Sequence, residues 1–582
     1  MRTGGPTGNV DRVNGAVTLV GDRWTVGPRA FTDPVRVIVA RGLDEVLPVM
    51  RAAEEAAGAG SWVAGFVSYQ AAPAFDAPLR VAPRRLVPDL PLAWFGVYQG
   101  WADLPPRAGP FRLGAWTAGL SESEHGSRVK TIREAIAAGD TYQVNLTFPM
   151  WADLEGEPGG LFQAMVHSQP QSYGALIDLG DRQILSVSPE LFFSRVGRLV
   201  TTRPMKGTAP RGRSTAEDLE QRDRLLSSEK ERAGNLMIVD MVRNDLGRVA
   251  EIGSVDVSAL FDVERHPTVW QMTSTITARL PDDVGLAELF AGVFPSGSVT
   301  GAPKVSTMGI IADLEPDARG VYCGAIGYLE PGGRRAEFSV AIRTGVVEGG
   351  RFTYHVGGGI TYDSLAGSEY DECYWKALVV TERRDPPDLL ETMRYSRAEG
   401  IPLLDRHIAR LTESAAYWGI PFDPVAIGNA LSAVGGAASL KVRLVLTASG
   451  GTEVTTEPLP SWEEPVGLQI WEERVDQSDP RWFHKLEDRT RYPTAEDGVE
   501  VVMVNLDGEI TEANISNLML RFDQHWVTPP TSSGCLPGIH RETVLAAGVV
   551  AEAVLTMEDL IRADEIAVTN AVRGWRKAVL IE

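Results

Sequence analysis

TTRPMKGTAPRGR, residues 201–213, is the stretch around which this 582-residue chain is organised. The apolar and β-branched residues at its start predict a strand that runs into Pro204. Pro204 fixes φ and Gly207 permits a tight turn, so the backbone is restricted on both sides of Lys206. A lysine held in this way loses less conformational entropy in adopting one pose than a lysine on an open helix face. Taken alone, the pattern fits an exposed turn lysine at least as well.

Other motifs along the chain decide between these two interpretations. In sequence order they are SVSPELFF (186–193), NLMIVDMVRNDLGR (235–248), HPTVWQMTSTI (266–276), FPSGSVTGAPK (294–304), YCGAIGY (322–328), FSVAIRT (338–344) and GGGITYDSLAGSEYDE (357–372). Together with PMKGT, this series resembles the chorismate-utilising enzymes over about residues 62–376. Lysine at position 206 resembles the branch of that family that aminates chorismate at C4, because the anthranilate-forming branch carries alanine there.

Composition limits the class of protein. The length predicts about three to four domain-sized units, and 44% hydrophobic and 23% charged residues are typical of a globular protein. A net charge of −21 argues against nucleic acid and anionic membrane as partners, since both bind basic surfaces. Three widely separated cysteines predict neither a disulfide framework nor a zinc site. Without an apolar signal core or a long apolar stretch, we expect a cytoplasmic protein.

Two polar residues of the first half have a structural and a functional interpretation. Glu190 follows an apolar strand and precedes Phe192 and Phe193; burial there would raise its pKa and let it donate a proton near neutral pH, whereas a strand-end position in water would not. Gln143 lies in a strand whose alternation begins at Tyr142, so it could simply face solvent. The resemblance implies that Glu190 is the general acid and that Gln143 contacts the substrate.

Paired acids near the end of the first half predict a cation site. Glu369 and Glu372 share one helix face at i, i+3, where they could hold Mg²⁺ or merely complement the helix dipole. Ser368 and Asp371 form a predicted capping box for the same helix.

Residues 215–245, predicted to form one long helix or a helix pair, carry a departure from the resembled pattern. Gly234 stands where the resemblance implies a further glutamate of the Mg²⁺ site. Glu231, one turn earlier on the same face, is expected to reach the metal directly or through water.

The resemblance also implies a reaction and further substrate-binding residues, namely His266, Lys304, Arg343, Gly357 and Gly358. Arginine suits the bidentate binding of a carboxylate, and glycine allows close backbone approach to an anion. Neutral Lys206 would attack C2 of chorismate, and ammonia would then add at C4 and expel the lysine. The pKa of Lys206 must therefore be lowered, by burial or by a cation such as Arg203. Because no glutaminase motif is visible, a separate glutaminase subunit is expected to supply ammonia.

A second pattern begins after the charged linker ERRDPPD, residues 382–388. Its motifs are LLDRHIARLTESA (403–415), HKLEDR (484–489), DGEITEANISNL (507–518), LPGIHRE (536–542) and TNAVRGW (569–575). From about residue 389 onward they resemble the fold-type IV pyridoxal-phosphate enzymes, in particular the lyase branch. The resemblance implies that Lys485 binds the cofactor and that Glu512 faces its ring nitrogen. The implied phosphate ligands are Arg410, the backbone of Ile539 and His540, Thr569 and Asn570. Arg410 also fits a surface position on an amphipathic helix.

Both resemblances predict an α+β protein: layered antiparallel sheets with outer helices over residues 1–381, then a two-subdomain type IV domain over residues 389–582. The implied function is conversion of chorismate and ammonia to 4-amino-4-deoxychorismate, followed by elimination of pyruvate to give 4-aminobenzoate. A homodimer through the second domain is expected, because type IV enzymes usually bury part of the cofactor site between subunits. Two alternatives stay open for the second half: a type IV aminotransferase, or a scaffold that retains no activity.

Overall fold

A computed structural model of the protein describes residues 15–83, 89–102, 109–378, 380, 385–436, 438–462 and 464–581. Residues 382–384 of the predicted linker lie outside this part. The chain forms two compact units. One contains Met1–Ala209 and Arg224–Arg384, and the other contains Pro210–Asp223 and Asp385–Glu582. The second unit therefore includes a segment, residues 210–223, that the predicted boundaries place in the first domain.

The first unit contains two antiparallel sheets of ten strands each. Its strands are β1 (Ala16–Val20), β2 (Arg29–Phe31), β3 (Arg36–Ala40), β4 (Trp62–Val67), β5 (Ala93–Tyr98), β6 (Phe111–Leu113), β7 (Thr117–Ala118), β8 (Gln143–Gly156), β9 (Tyr173–Asp178), β10 (Arg182–Ser188), β11 (Leu191–Val196), β12 (Leu199–Arg203), β13 (Met205–Pro210), β14 (Asp256–Arg265), β15 (Val269–Arg279), β16 (Gly301–Ala302), β17 (Ala325–Leu329), β18 (Arg335–Val340), β19 (Thr344–Glu348) and β20 (Arg351–Ile360). One sheet has the order β16-β8-β20-β19-β10-β9-β1-β2, with β6 and β7 on β8. The other has the order β13-β15-β12-β11-β18-β17-β4-β5-β3, with β14 on β15.

Helices cover the outer faces of these sheets. They are α1 (Leu43–Gly58), α2 (Ala72–Phe75), α3 (Glu122–Ala138), α4 (Pro158–Ser168), α6 (Glu229–Gly247), α7 (Leu286–Val293), α8 (Lys304–Leu314) and α9 (Ala366–Leu378). Helix α5 (Thr215–Ser227) precedes α6 in the chain, and its residues up to Asp223 belong to the second unit. One buried cluster joins β1, β4 and β17 between the sheets. A second packs α1, α6 and α7 on one sheet, and a third packs α4 and α9 on the other. This layering confirms the predicted fold class, since each sheet buries one face on its partner sheet and the other under helices.

Local signals placed some helix ends correctly and others wrongly. The predicted pair over residues 215–245 is confirmed as α5 and α6. The predicted capping box of Ser368 and Asp371 is wrong. Helix α9 already begins at Ala366, and Ser364 instead donates to the carboxylate of Glu369 (2.7 Å).

The second unit has two subdomains, as predicted. The smaller contains the antiparallel sheet β21 (Leu389–Tyr395), β22 (Leu440–Leu446) and β23 (Thr452–Pro458), with α10 (Leu404–Trp418) and α11 (Pro424–Ser432). The larger contains β24 (Val466–Val475), β25 (Val499–Asn505), β26 (Ile510–Ala513), β27 (Asn517–Phe522), β28 (His525–Thr528), α12 (Ile539–Ala546), β29 (Val550–Glu552), α13 (Met557–Arg562), β30 (Glu565–Asn570) and β31 (Gly574–Leu580). Its sheet has the order β26-β25-β24-β31-β30-β27-β28-β29. Each sheet has its own apolar cluster.

Among the residues described above, no helix is both long enough and apolar enough to cross a membrane.

Candidate active sites

Lys206 lies in strand β13 and is partly buried, so it is not the exposed turn lysine that the sequence left open. Its side chain passes over Gly359 of β20. A methyl group at Gly359 would come within 2.8 Å of Lys206 Nζ and 2.9 Å of Gln143 Nε2. The two side chains therefore converge over a position that has room only for glycine.

Gln143 is 1% exposed, and the exposed neighbour is Tyr142, at 65%. The solvent-facing interpretation of Gln143 is thus wrong, because residues 143–150 of β8 are all buried and both faces of the strand are therefore covered here. Within the described part of the chain, the amide oxygen of Gln143 is buried and has no hydrogen-bond partner. A buried acceptor without a donor costs free energy unless a ligand supplies one, so this atom favours substrate binding beside Lys206.

The ammonium of Lys206 is surrounded by other charges. Burial is the main effect that lowers its pKa, followed by repulsion from Lys376, whereas Glu372, Glu231 and Glu369 oppose the shift. The sequence-based choice of Arg203 as the neighbouring cation is wrong, because Arg203 pairs with Glu264 instead. A partly neutral lysine is what nucleophilic attack requires.

Lys376 is a site residue that sequence reasoning missed. Its Nζ donates to Gly357 O (2.8 Å) and pairs with Glu372 (2.7 Å). The signal was present in the sequence, since Lys376 follows Glu372 by one helical turn and such pairs meet on the helix surface.

Glu190 lies between β10 and β11 and is 3% exposed. Burial raises its pKa to about 8, and a hydrogen bond from Ser298 Oγ (2.5 Å) partly offsets that rise. The expectation of a desolvated carboxyl is confirmed, and the alternative of a glutamate in water is wrong. The carboxyl is protonated at neutral pH and able to donate a proton.

The three acids predicted to bind Mg²⁺ all influence Lys206 but do not form a compact metal cluster. Glu369 accepts from Ser364 (2.7 Å), and Glu372 pairs with Lys376 (2.7 Å). Glu231 lies against Gly207, at which a methyl group would come within 3.3 Å of its carboxylate. Across the described residues, no group of three or more His, Cys, Asp or Glu is arranged to hold a metal. The geometry therefore does not fit a preformed magnesium site.

The remaining predicted substrate ligands fall into separate groups. Arg343, at φ +50°, donates to Gln169. Burial and, as the second effect, repulsion from Arg343 lower the pKa of His266 to about 3. Lys304 Nζ donates instead to the carboxylate of Asp245 (2.9 Å) and to the carbonyl of Val293 (3.2 Å).

The glycines of β20 serve close packing. A methyl group at Gly357 would lie 2.6 Å from the carbonyl of Leu146, and one at Gly358 would lie 3.1 Å from Glu369. Glycine at these two positions lets β8 and α9 approach β20 closely. An anion-binding role for these glycines rests on the family resemblance alone.

In the second unit, Lys485 follows the extended residue His484, and the carbonyl of Lys485 accepts a hydrogen bond from Leu390 N (2.9 Å). Burial, then repulsion from Arg410, lowers the pKa of Lys485 to about 8, while Glu391 and Glu512 oppose the shift. A lysine that is partly neutral at physiological pH can act as a nucleophile or a base.

Glu512 is 4% exposed and accepts three weak hydrogen bonds. The donors are Tyr492 Oη (3.4 Å), Asn517 Nδ2 (3.2 Å) and Leu536 N (3.2 Å). Burial raises the pKa of Glu512 to about 7. Sequence reasoning missed Tyr492 and Asn517, since neither lies at a spacing that points to Glu512.

Arg410 is buried rather than exposed on the helix surface, with 10% of its side chain accessible. Its guanidinium binds Glu391 through two hydrogen bonds (2.8 and 2.7 Å) and donates to the carbonyl of Pro537 (3.0 Å). His407 Nδ1 is bonded to the same carboxylate (2.6 Å). The ion pair thus holds the guanidinium in one orientation.

Three of the predicted phosphate ligands, Ile539, His540 and Thr569, meet at the start of α12. His540 Nδ1 is bonded to Thr569 Oγ1 (2.6 Å), and the helix begins at Ile539 after Gly538, which cannot supply a side-chain cap. Free first-turn N–H groups at a helix start bind anions. The side chain of Asn570 is instead engaged in the turn that follows β30. The site fits pyridoxal phosphate, because it combines the reactive Lys485, the buried carboxyl of Glu512, the guanidinium of Arg410 and the start of α12.

Comparison with known proteins relates each part of the chain to a different family. The chorismate binding enzyme family matches residues 102–382, and the amino-transferase class IV family matches residues 388–581. Aminodeoxychorismate synthase component 1 of Salmonella typhimurium is 43% identical over 272 residues, which are 47% of this chain and 60% of that protein. Anthranilate synthase component 1 of Streptomyces coelicolor is 41% identical over 272 residues, 46% of this chain and 53% of that protein.

Structural similarity agrees with the first assignment. The crystal structure of anthranilate synthase component I from Streptococcus pneumoniae superposes with a TM-score of 0.53 and 25% identity, covering 66% of this chain and 95% of that one. The chain spans less than two thirds of the length of the curated relatives named above. The first part of the chain is thus similar to the chorismate binding enzyme family, and the second part is similar to the amino-transferase class IV family.

Proposed function

We propose that the protein makes 4-aminobenzoate from chorismate and ammonia in two steps, one in each unit. The observation that carries this proposal is the pair of Lys206 and Gln143 over Gly359. Curated relatives with aminodeoxychorismate synthase and anthranilate synthase names match the chain about equally well. A nucleophilic lysine favours amination at C4, because the anthranilate-forming branch has alanine at this position.

The first step uses groups whose pKa values the fold shifts in the directions that the chemistry needs, downward for Lys206 and upward for Glu190. Neutral Lys206 Nζ forms a bond to C2 of chorismate while the C4–O bond breaks, and the hydroxyl leaves as water with the proton of Glu190. Ammonia then forms the C4–N bond and the C2–Nζ bond breaks, which gives 4-amino-4-deoxychorismate. Splitting one difficult substitution into two displacements lowers each barrier. Gln143 would orient the substrate through its unpaired amide oxygen.

The second step eliminates pyruvate from this intermediate. Class IV membership implies pyridoxal phosphate, which supplies an electron sink when bound. Lys485 would hold the cofactor and then remove the proton from the carbon that bears the amine. Glu512 would face the ring nitrogen, and Arg410, His540, Thr569 and the start of α12 would hold the phosphate. The burial of Lys485 and Glu512 would exclude water from the reacting atoms.

Partners and a metal complete the proposal. A glutamine amidotransferase subunit would supply ammonia, and a homodimer would form through the class IV unit. Mg²⁺ would bind the substrate carboxylate with help from Glu231, Glu369 and Glu372. Because these acids do not converge in the structure, no step above depends on the metal. The support for Mg²⁺ is the family resemblance.

A product assay on the full chain tests both steps. The protein is incubated with chorismate, ammonium, Mg²⁺ and pyridoxal phosphate, and products are identified by mass and retention time. We expect 4-aminobenzoate and pyruvate in equal amounts. Lys206→Ala should abolish the amino product, and Lys485→Ala should accumulate 4-amino-4-deoxychorismate. Lys441→Ala, which removes a lysine paired with the exposed Glu457, serves as the matched control.

Each outcome of this assay bears on one half of the proposal. Anthranilate as the product of the wild type, or undiminished 4-aminobenzoate formation by Lys206→Ala, would overturn the role of Lys206. Full 4-aminobenzoate formation by Lys485→Ala would show that the second unit is only a scaffold.

One second function has specific support, because the matching family is that of amino-transferases. In that case the second unit would move an amino group from an amino acid to a keto acid. Incubation with an amino acid donor and a keto acid acceptor distinguishes the two activities: amino transfer without pyruvate release from the aminated intermediate would favour the aminotransferase.

A further inference from the structure

Residues 210–223, here called the crossing segment, belong to the compact unit that contains residues 385–582. By sequence, the same residues lie inside the match to the chorismate binding enzyme family. The class IV family match begins only at residue 388. A stretch of one family's sequence is therefore part of the other family's structural unit.

The crossing segment is anchored to the end of α10. Tyr417 Oη donates to the carbonyl of Gly212 (2.7 Å), and Arg211 Nη2 donates to the carbonyl of Tyr417 (3.0 Å). The guanidinium of Arg211 also stacks on the Tyr417 ring, 4.6 Å from its centroid. Arg211 is held in turn by Asp218 through two short hydrogen bonds (2.6 and 2.8 Å), and both side chains are buried. This end of the segment is thus rigid.

The same segment touches the two residues before Lys485. The guanidinium of Arg213 lies 5.0 Å from the Phe483 ring centroid. The imidazole of His484 faces the backbone of Arg213, which opposes the lowering of its pKa by burial. That imidazole also bonds Ser414 (2.9 Å) and packs against the Tyr417 ring, 4.4 Å between centroids. His484 is therefore enclosed between α10 and the crossing segment.

Backbone geometry carries this restraint to Lys485. His484 is extended, with φ −123° and ψ 137°. In extended backbone, successive side chains point to opposite sides. Fixing the His484 ring on one side thus sets the direction of the Lys485 side chain on the other, toward Arg410 and Glu512.

We propose that the crossing segment is a positioning element of the cofactor site, which holds Lys485 in its reactive direction through Phe483 and His484. The inference rests on the proposed role of Lys485 in binding pyridoxal phosphate. It implies that the class IV unit depends on residues that precede it by more than 160 positions in the sequence. These residues follow Lys206 by only a few positions, so one short stretch of chain serves both units.

The test compares pyridoxal phosphate binding by full-length variants. Arg213→Met removes the donors to Gln477 O (3.1 Å) and Ser532 O (3.3 Å) but keeps an unbranched side chain. Arg222→Met is the matched control, because Arg222 lies in the same segment and pairs with the adjacent Asp223. The dissociation constant is measured from cofactor absorbance. The pH midpoint of that absorbance is titrated as well.

We expect Arg213→Met to weaken cofactor binding at least fivefold and to move the pH midpoint upward, because water that reaches Lys485 restores its ordinary basicity. Arg222→Met should match wild type in both measurements. Tyr417→Phe, which keeps the ring and loses only the bond to Gly212, should shift the midpoint in the same direction by a smaller amount and provides a second variant should Arg213→Met fold poorly.

The outcomes separate this inference from the proposed function. If wild type binds pyridoxal phosphate and Arg213→Met matches Arg222→Met in affinity and pH midpoint, the positioning role is overturned and the lyase proposal stands. If wild type itself binds no pyridoxal phosphate, the lyase proposal is overturned and this inference falls with it.

Discussion

Replacement of Glu190 by glutamine should abolish proton donation and at the same time stabilise the first unit. The carboxyl is 3% exposed, and burial raises its pKa from 4.5 to about 8. A shift of this size corresponds to about 5 kcal/mol between the two protonation states, at roughly 1.4 kcal/mol for each pH unit. Glutamine has nearly the same shape and can still accept from Ser298, but it never ionises.

The sign of the stability effect follows from linkage. Below pH 4.5 the carboxyl is protonated in both the folded and unfolded states, so ionisation costs nothing. Between pH 4.5 and about 8 only the unfolded state ionises, and the wild type loses stability as pH rises. Glu190→Gln should therefore exceed wild type in free energy of unfolding by about 3 kcal/mol at pH 7 and about 5 kcal/mol at pH 9, and should match it at pH 4.

Two assays check this prediction. Urea unfolding of the transition that reports on the first unit is measured at pH 4, 7 and 9, with the exposed Glu55→Gln as the matched control. The rate of chorismate amination should fall by roughly 10²–10⁴-fold in Glu190→Gln, the usual contribution of a general acid. The wild-type rate should decline as pH rises through about 8, where the proton is lost. A stability difference that does not grow from pH 4 to pH 9 would refute the claim that Glu190 is buried and uncharged.

Two further changes probe the packing at each site. Gly359→Ala should lower amination at least tenfold with little effect on thermal stability, because its methyl group would lie 2.8 Å from Lys206 Nζ. Gly234→Ala is the control and should retain activity, because its methyl group would keep an ordinary 3.7 Å contact with the same side chain. Equal amination rates for the two variants would contradict this reasoning. Glu391→Gln should destabilise the second unit by roughly 3–5 kcal/mol at pH 7, since it leaves the buried Arg410 without its counter-charge. Because the pKa of Glu391 is lowered to about 2, the difference in stability between wild type and variant should disappear as pH falls from about 4.5 to 2. Thermal unfolding at pH 7 and over that pH range checks both statements.

Local patterns identified the elements and most of the chemistry of this protein. The helix pair after PMKGT and the burial of Glu190 beside two phenylalanines follow from near-neighbour effects, because propensity, capping and apolar neighbours act within a few residues. The ordered motifs were sufficient to indicate two families in one chain, and the matches to residues 102–382 and 388–581 agree.

Other predictions failed where a distant element decided the outcome. Gln143 was ambiguous because both faces of β8 are covered, which an alternating pattern cannot show. Arg203 was chosen as the cation beside Lys206 from its closeness in sequence, but it pairs with Glu264, and Lys376 from α9 takes that place. The partner of Arg410 could not be predicted for the same reason, since Glu391 lies on strand β21 and Arg410 on helix α10.

The sequence by itself thus determined which residues could do chemistry, because lysine, glutamate and arginine carry their reactivity wherever they lie. Only the tertiary structure decided their protonation states and their partners. Burial lowers the pKa values of Lys206 and Lys485 and raises those of Glu190 and Glu512, and burial is a property of the surrounding elements. The same holds for residues 210–223, which the sequence assigns to one family and three-dimensional packing places in the unit of the other.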